Sequence, residues 1–196
     1  MGSSNIGSSN IGRTEQRAVR YVIWVAENSI RKNKKNRNHK PITMANTYTQ
    51  IHIQCVFAVQ NRQSLIRKNW KDELYKYMTG IIQEYDHKVL QINGMPDHIH
   101  ILFGMRPTQS LSDLMKYVKQ DSSKWINSRG LVNGKFSWQT GYGAFSYSKS
   151  DVQNVINYIK NQEEHHQKIK FQDEYKQLLK KFDVEYDEQY ILKPVE

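Results

Sequence analysis

Two histidines separated by one isoleucine, His98 and His100, sit in the apolar run GMPDHIHILF, residues 94–103. On an extended strand successive side chains alternate between faces, so both imidazoles point one way while Ile99 and Ile101 point the other. Two nitrogen ligands then converge on one spot, which is half of a metal site. The plainer reading of such a pair is two buried histidines, each bonded to a carbonyl or water. A second pair, Tyr158 and Gln162, stands four residues apart in DVQNVINYIKNQEEHH, residues 151–166. One helical turn separates them, so a phenol hydroxyl and an amide oxygen project together, and Val155, Ile156 and Ile159 form the stripe that packs the helix down. Tyr142 and Tyr147 are rivals for any nucleophilic role. His165 and His166 are rival ligands, although a histidine pair at a helix end more often sits in solvent or complements the C-terminal dipole. His52 is a further alternative, equally suited to bonding a neighbouring strand. Asp97 can orient an imidazole as an outer acceptor, and its place in a tight turn explains it equally well.

The elements that must position these groups begin at Met44. The segment YTQIHIQCVFAV (48–59) alternates with period two, placing Ile51, Ile53, Cys55 and Phe57 on one face and Gln50, His52 and Gln54 on the other, a strand covered on one side. Residues 68–85 carry Trp70, Leu74, Tyr77, Met78, Ile81 and Ile82 at helical spacing. KVLQIN (88–93) and HIHILF (98–103) read as strands joined by a Gly-Met-Pro-Asp turn, and Ser110 caps a second helix that runs to about residue 127. GAFSYS (143–148) is a further short strand, after which Ser150 and Gln153 match a capping box opening the tyrosine helix. The order β-α-β-β-α-β-α predicts an α+β fold, a ferredoxin-like antiparallel sheet with an added C-terminal helix.

A chain of 196 residues, 38% of them hydrophobic, suits one folded domain with appendages. The apolar stretch YVIWVA (21–26) is too short for a membrane span or a signal-peptide core, so no membrane association and a cytoplasmic location are expected. Cys55 is the sole cysteine and reads as a buried strand residue with no redox role. Of the net charge of +10, residues 1–43 hold nine Lys/Arg against two Asp/Glu, a net +7. Residues 44–162 are mildly basic at +6, whereas residues 163–196 carry −3. The first 43 residues, with a repeated Gly-Ser-Ser-Asn-Ile and the polar basic tract RKNKKNRNHK, read as a basic extension or an added leader outside the fold. Residues 44–166 form the expected domain, and 167–196 an acidic helical tail.

The combination of H-φ-H (φ apolar) on a central strand with Y-x-x-x-Q on a late helix resembles the single-tyrosine HUH transposases of the smallest insertion sequences, the insertion-sequence-two-hundred type, over roughly residues 44–166. This resemblance implies a metal-dependent enzyme that cleaves and rejoins single-stranded DNA. His98, His100 and Gln162 would hold Mg²⁺ or Mn²⁺, and Tyr158 would attack phosphorus, leaving a 5′-phosphotyrosine bond and a free 3′-hydroxyl. It also implies DNA with imperfect hairpins near the element's ends as partner, and a homodimer in which the tyrosine helix of one subunit docks beside the histidines of the other, with Gly141 and Gly143 letting that segment swing. Phosphate contacts are weakly indicated at Arg62, Arg67, Lys68, Lys116, Lys119 and Lys124, all of which suit a solvated face as well. Domesticated repeat-associated tyrosine transposases share the same site.

Two other classes compete. A histidine-triad hydrolase continues H-φ-H to a third histidine, and Leu102 stands at that position. A non-catalytic single-strand-binding module also suits an aromatic ferredoxin-like sheet, but has no use for the Tyr158–Gln162 spacing.

Overall fold

Strand β1 (Ile51–Ala58) lies at the centre of a four-stranded antiparallel sheet in a computed structural model of the chain, which describes residues 48–188 and Ile191. The extension expected at residues 1–43 lies outside the described residues. Helix α1 (Lys68–Glu84) follows, then β2 (Lys88–Met95), β3 (His98–Met105), α2 (Leu111–Ser128) and β4 (Gly143–Tyr147). Three helices complete the order: α3 (Val152–Lys160), α4 (Gln162–His165) and α5 (Phe171–Lys181). The spatial strand order β2-β3-β1-β4 is that of a ferredoxin-like sheet, as the element pattern predicts.

One face of the sheet is apolar throughout. Cys55 and Phe57 of β1 and Ile99, Ile101 and Phe103 of β3 pack under α1 and α2, which bury Trp70, Leu74, Met78 and Ile82 against Leu114, Met115 and Val118. Tyr75 takes the buried place in α1, while Tyr77 stays partly exposed and stacks on Trp125. Ser110 caps α2 as its sequence indicates, its hydroxyl accepting from the amide of Asp113.

The other face departs from the expected one-sided sheet. Val56 and Ala58 of β1 are fully buried beneath Phe171, Leu178 and Leu179 of α5, while Leu102 of β3 is covered by Val152, Val155 and Ile159 of α3. Both faces are therefore dry, and residues 171–181 form a layer of the same folded unit. Gly143 makes this seat: a β-carbon there would come within 2.8 Å of the Tyr175 ring, so the missing side chain serves close approach of α5.

The tyrosine helix also begins differently from the capping-box pattern. Its N-cap is Asp151, whose carboxylate accepts from Ser148 instead of from an amide of the first turn, and Ser150 is held by the same Ser148 hydroxyl. It ends early as well, at Asn161, where the backbone leaves helical geometry. The Lys160 carbonyl accepts instead from the Asn93 side chain of β2, so a tertiary contact replaces helix continuation.

The β2–β3 hairpin carries the histidines, and Gly94 sets its width. A β-carbon on Gly94 would meet the His98 carbonyl oxygen at 2.2 Å, a backbone atom that cannot move aside without parting the strands. Gly94→Ala is expected to destabilise the fold by about 1–3 kcal/mol, measured by denaturant unfolding; an unchanged midpoint would show that the hairpin opens freely at this position.

Candidate metal and nucleophile site

His98 and His100 project from β3 onto the α3/α5 face and are fully buried, at 0% exposure. Each ring is held from behind. His98 Nδ1 donates to Asp97 Oδ1 at 2.8 Å, and Asp97 is in turn paired with Arg62 at 3.3 Å. His100 Nδ1 lies 3.0 Å from the side-chain amide nitrogen of Gln54 on β1, whose oxygen accepts from the Tyr147 hydroxyl of β4 at 2.8 Å. The hairpin turn and strands β1 and β4 thus fix two rings, leaving both Nε2 atoms facing the space under α5.

Glu174 of α5 fills that space. It is 2% exposed, and its Oε2 stands 3.8 Å from His98 Nε2, 3.5 Å from His100 Nε2 and 3.0 Å from His166 Nε2. Its Oε1 accepts from the Tyr158 hydroxyl and, at 2.9 Å, from the Gln162 amide nitrogen. Tyr158 and Gln162 therefore converge despite the break at Asn161. Tyr158 also stands edge-on to His100 of its own chain, ring centroids 5.9 Å apart. This differs from the arrangement the resemblance implies, in which the tyrosine docks on a partner's histidines.

The electrostatics follow from burial and these contacts. Burial disfavours the imidazolium of His98 and, against the pull of Asp97, lowers its pKa to about 4, so the ring is neutral and its Nε2 carries a lone pair. Burial alone would raise Glu174, but His100, His166 and the Tyr158 hydroxyl outweigh it and hold the carboxyl well below the usual range. Burial and the Glu174 charge together push the Tyr158 phenol above its ordinary value.

A cation fits this pocket. His98 Nε2, His100 Nε2, His166 Nε2, Gln162 Oε1 and Glu174 Oε2 are all buried without a hydrogen-bond partner. The ligand atoms of His98, His100, His166 and Glu174 lie within 4.8 Å of one another. So many polar atoms without a partner in one buried place are costly, and a cation would satisfy the carboxylate and amide oxygens together with each ring nitrogen that presents a lone pair.

The remaining sequence-indicated residues lie elsewhere. His52 is buried on β1, outside this group. His165 flanks it, its Nε2 3.6 Å from Glu174 Oε1. Lys119 donates to the carbonyls of Gln139 and Gly141, both at 2.6 Å, so its ammonium anchors a loop. Lys124 pairs with Asp121, Lys68 approaches Glu163 at 3.7 Å, and Lys116 is exposed on α2. Sequence reasoning missed Glu174 by assigning it to an acidic tail. The available signal was its spacing: Phe171, Glu174 and Leu178 fall on one helical stripe, which puts a carboxylate among buried residues.

The molecule is thus a ferredoxin-like sheet that presents a buried histidine pair to a helix-borne tyrosine. The chain belongs to the IS200-like transposase family, whose model matches residues 47–162, and so to the enzymes that transpose DNA. It is 22% identical to the ISDra2 transposase TnpA of Deinococcus radiodurans over 118 residues, 58% of this chain and 84% of that protein. Among solved structures it is similar to a transposase from Deinococcus radiodurans R1, with 20% identity, a TM-score of 0.48, and coverage of 63% of this chain and 98% of that one. It is also similar to a REP-associated tyrosine transposase bound to a REP hairpin, with 14% identity, a TM-score of 0.48, and coverage of 62% and 72%. Among the described residues no helix is long and apolar enough to cross a membrane.

Proposed function

We propose that this transposase cleaves and rejoins single-stranded DNA through Tyr158, with a divalent cation, Mg²⁺ or Mn²⁺ on the strength of the resemblance, held at His98 and His100. The observation that carries this reading is the convergence of the Tyr158 hydroxyl and both Nε2 atoms on one carboxylate, Glu174. When bound, the cation supplies Lewis-acid polarisation of the scissile phosphate. Tyr158 presents its oxygen as nucleophile beside His100 and directs its proton at Glu174 Oε1. As the Tyr158 oxygen–phosphorus bond forms, the bond from phosphorus to the 3′-oxygen breaks, so the fragment that begins at the 5′-phosphate stays on the enzyme while the other leaves with a 3′-hydroxyl, and attack by that hydroxyl on the phosphotyrosine reseals the strand. Asp97 and Gln54 keep the imidazoles aimed throughout.

The test is incubation of the purified protein with Mn²⁺ and a single-stranded oligonucleotide from the hairpin-forming flank of its own gene. A denaturation-resistant protein–DNA adduct is expected, absent with duplex DNA and absent with chelator. An adduct formed equally in chelator would remove the cation from this reading.

Each subunit offers one tyrosine while excision breaks two ends, so a homodimer remains part of the proposal. Because the single chain brings Tyr158 to its own histidines, each centre is taken to work in cis. Co-expressing a His98→Ala/His100→Ala chain with a Tyr158→Phe chain should then give a mixed dimer with no cleavage above either parent. Return of about half the wild-type activity, the yield of one restored centre of two acting independently, would show that tyrosines are exchanged.

A further inference from the structure

His166 and Glu174 lie beyond the segment that matches the family model, which ends at residue 162, yet both face the histidine pair. His166 Nδ1 lies 3.0 Å from the Ile169 carbonyl oxygen. A carbonyl only accepts, so Nδ1 is the nitrogen that donates to it, and Nε2 is left facing inward. That nitrogen stands 3.0 Å from Glu174 Oε2. His98 is arranged in the same way, with Nδ1 given to Asp97 and Nε2 turned inward. A ring nitrogen anchored to an outer acceptor while its opposite nitrogen faces inward is the usual posture of a metal-bound histidine. The inward ligand atoms of His98, His100, His166 and Glu174 lie within 4.8 Å of one another, a spacing that one cation can bridge.

We propose that His166 and Glu174 are direct ligands of the metal centre, completing a set of three imidazoles and one carboxylate with His98 and His100. This rests on the proposed metal-dependent cleavage and extends it in two ways. The ligand set becomes nitrogen-rich, which suits Mn²⁺, Co²⁺ or Zn²⁺ better than Mg²⁺, an ion that prefers oxygen donors. The last helix becomes part of the centre, because Glu174 offers Oε2 to the cation while Oε1 receives the Tyr158 hydroxyl. One carboxylate then sets the distance between nucleophile and metal.

The experiment uses the full chain stripped of metal and titrated with Co²⁺, followed by calorimetry and by X-ray absorption, which counts coordinated imidazoles. Wild type is expected to bind one equivalent at least about tenfold more tightly than Mg²⁺, with three imidazoles on the ion. Glu174→Gln, which keeps the side-chain shape, and His166→Ala are each expected to weaken Co²⁺ by more than about tenfold, since even outer partners of a ligand are worth about 10–100-fold. His166→Ala should also lower the imidazole count to two. A wild-type centre with two imidazoles would overturn the proposal whether or not either variant folds. So would wild-type Co²⁺ affinity in both variants when His98→Ala/His100→Ala abolishes binding. Failure of the wild type to bind any of these ions would instead bring down the metal reading as a whole.

Discussion

Tyr158→Phe is expected to abolish covalent adduct formation and to lower strand cleavage by about a thousandfold or more, the scale seen when a covalent nucleophile is removed. The change deletes one oxygen from a half-buried ring that otherwise stays packed between His100 and His165. Its structural cost is one hydrogen bond to a charged acceptor, about 1.5–3 kcal/mol. That acceptor keeps a second donor in Gln162. A domain with a typical stability of about 5–15 kcal/mol survives such a loss, so the variant should remain folded while inactive. Unfolding curves and adduct gels on the same preparation separate the two effects. An adduct that persists, or that maps to Tyr142 or Tyr147, would move the nucleophile. Tyr147 is poorly placed for the role because its hydroxyl is committed to Gln54, the residue that holds His100.

What the sequence makes legible here is governed by range. The histidine strand, the Ser110 cap and the β1 strand are local patterns, in which neighbouring residues determine one another, and the structure reproduces them, although β1 is covered on both faces instead of one. The break at Asn161 has no such signature: no glycine or proline marks it, and the Lys160 carbonyl is satisfied by Asn93, 67 residues away in the chain. The capping box at Ser150 fails for a comparable reason, since Ser148 engages both Ser150 and Asp151 before the first turn forms. The covered second face of the sheet was hidden because Gln54 and His52 read as solvent-facing polar residues. Gln54 is buried since it has two partners, Tyr147 and His100, on different strands. Glu174 is the same case at higher stakes. A carboxylate in an acidic segment looks solvated until the fold surrounds it with imidazoles and a phenol.

Removing both imidazoles is the second large effect. In His98→Ala/His100→Ala, divalent-metal affinity should fall by more than about a hundredfold, because losing one outer partner of a ligand already costs about 10–100-fold. Metal-dependent cleavage should then become undetectable. Binding to folded hairpin DNA should change little: both rings are fully buried under α3 and α5 and present no surface to a stem, whereas duplex phosphates are met by exposed groups. The double variant also leaves Glu174 without two of its neighbours, so some stability is lost, and the comparison needs a control that empties a buried imidazole elsewhere. His52→Ala supplies it, since His52 is buried on the same sheet but outside the ligand group. Metal affinity measured by calorimetry should match wild type in His52→Ala and vanish in the double variant. Hairpin affinity measured by gel shift should be similar in all three. If cleavage survives loss of both imidazoles, the buried histidines are packing residues and Tyr158 works without a metal; if hairpin binding collapses together with cleavage, the pair is holding up the DNA-binding surface and not acting on the phosphate.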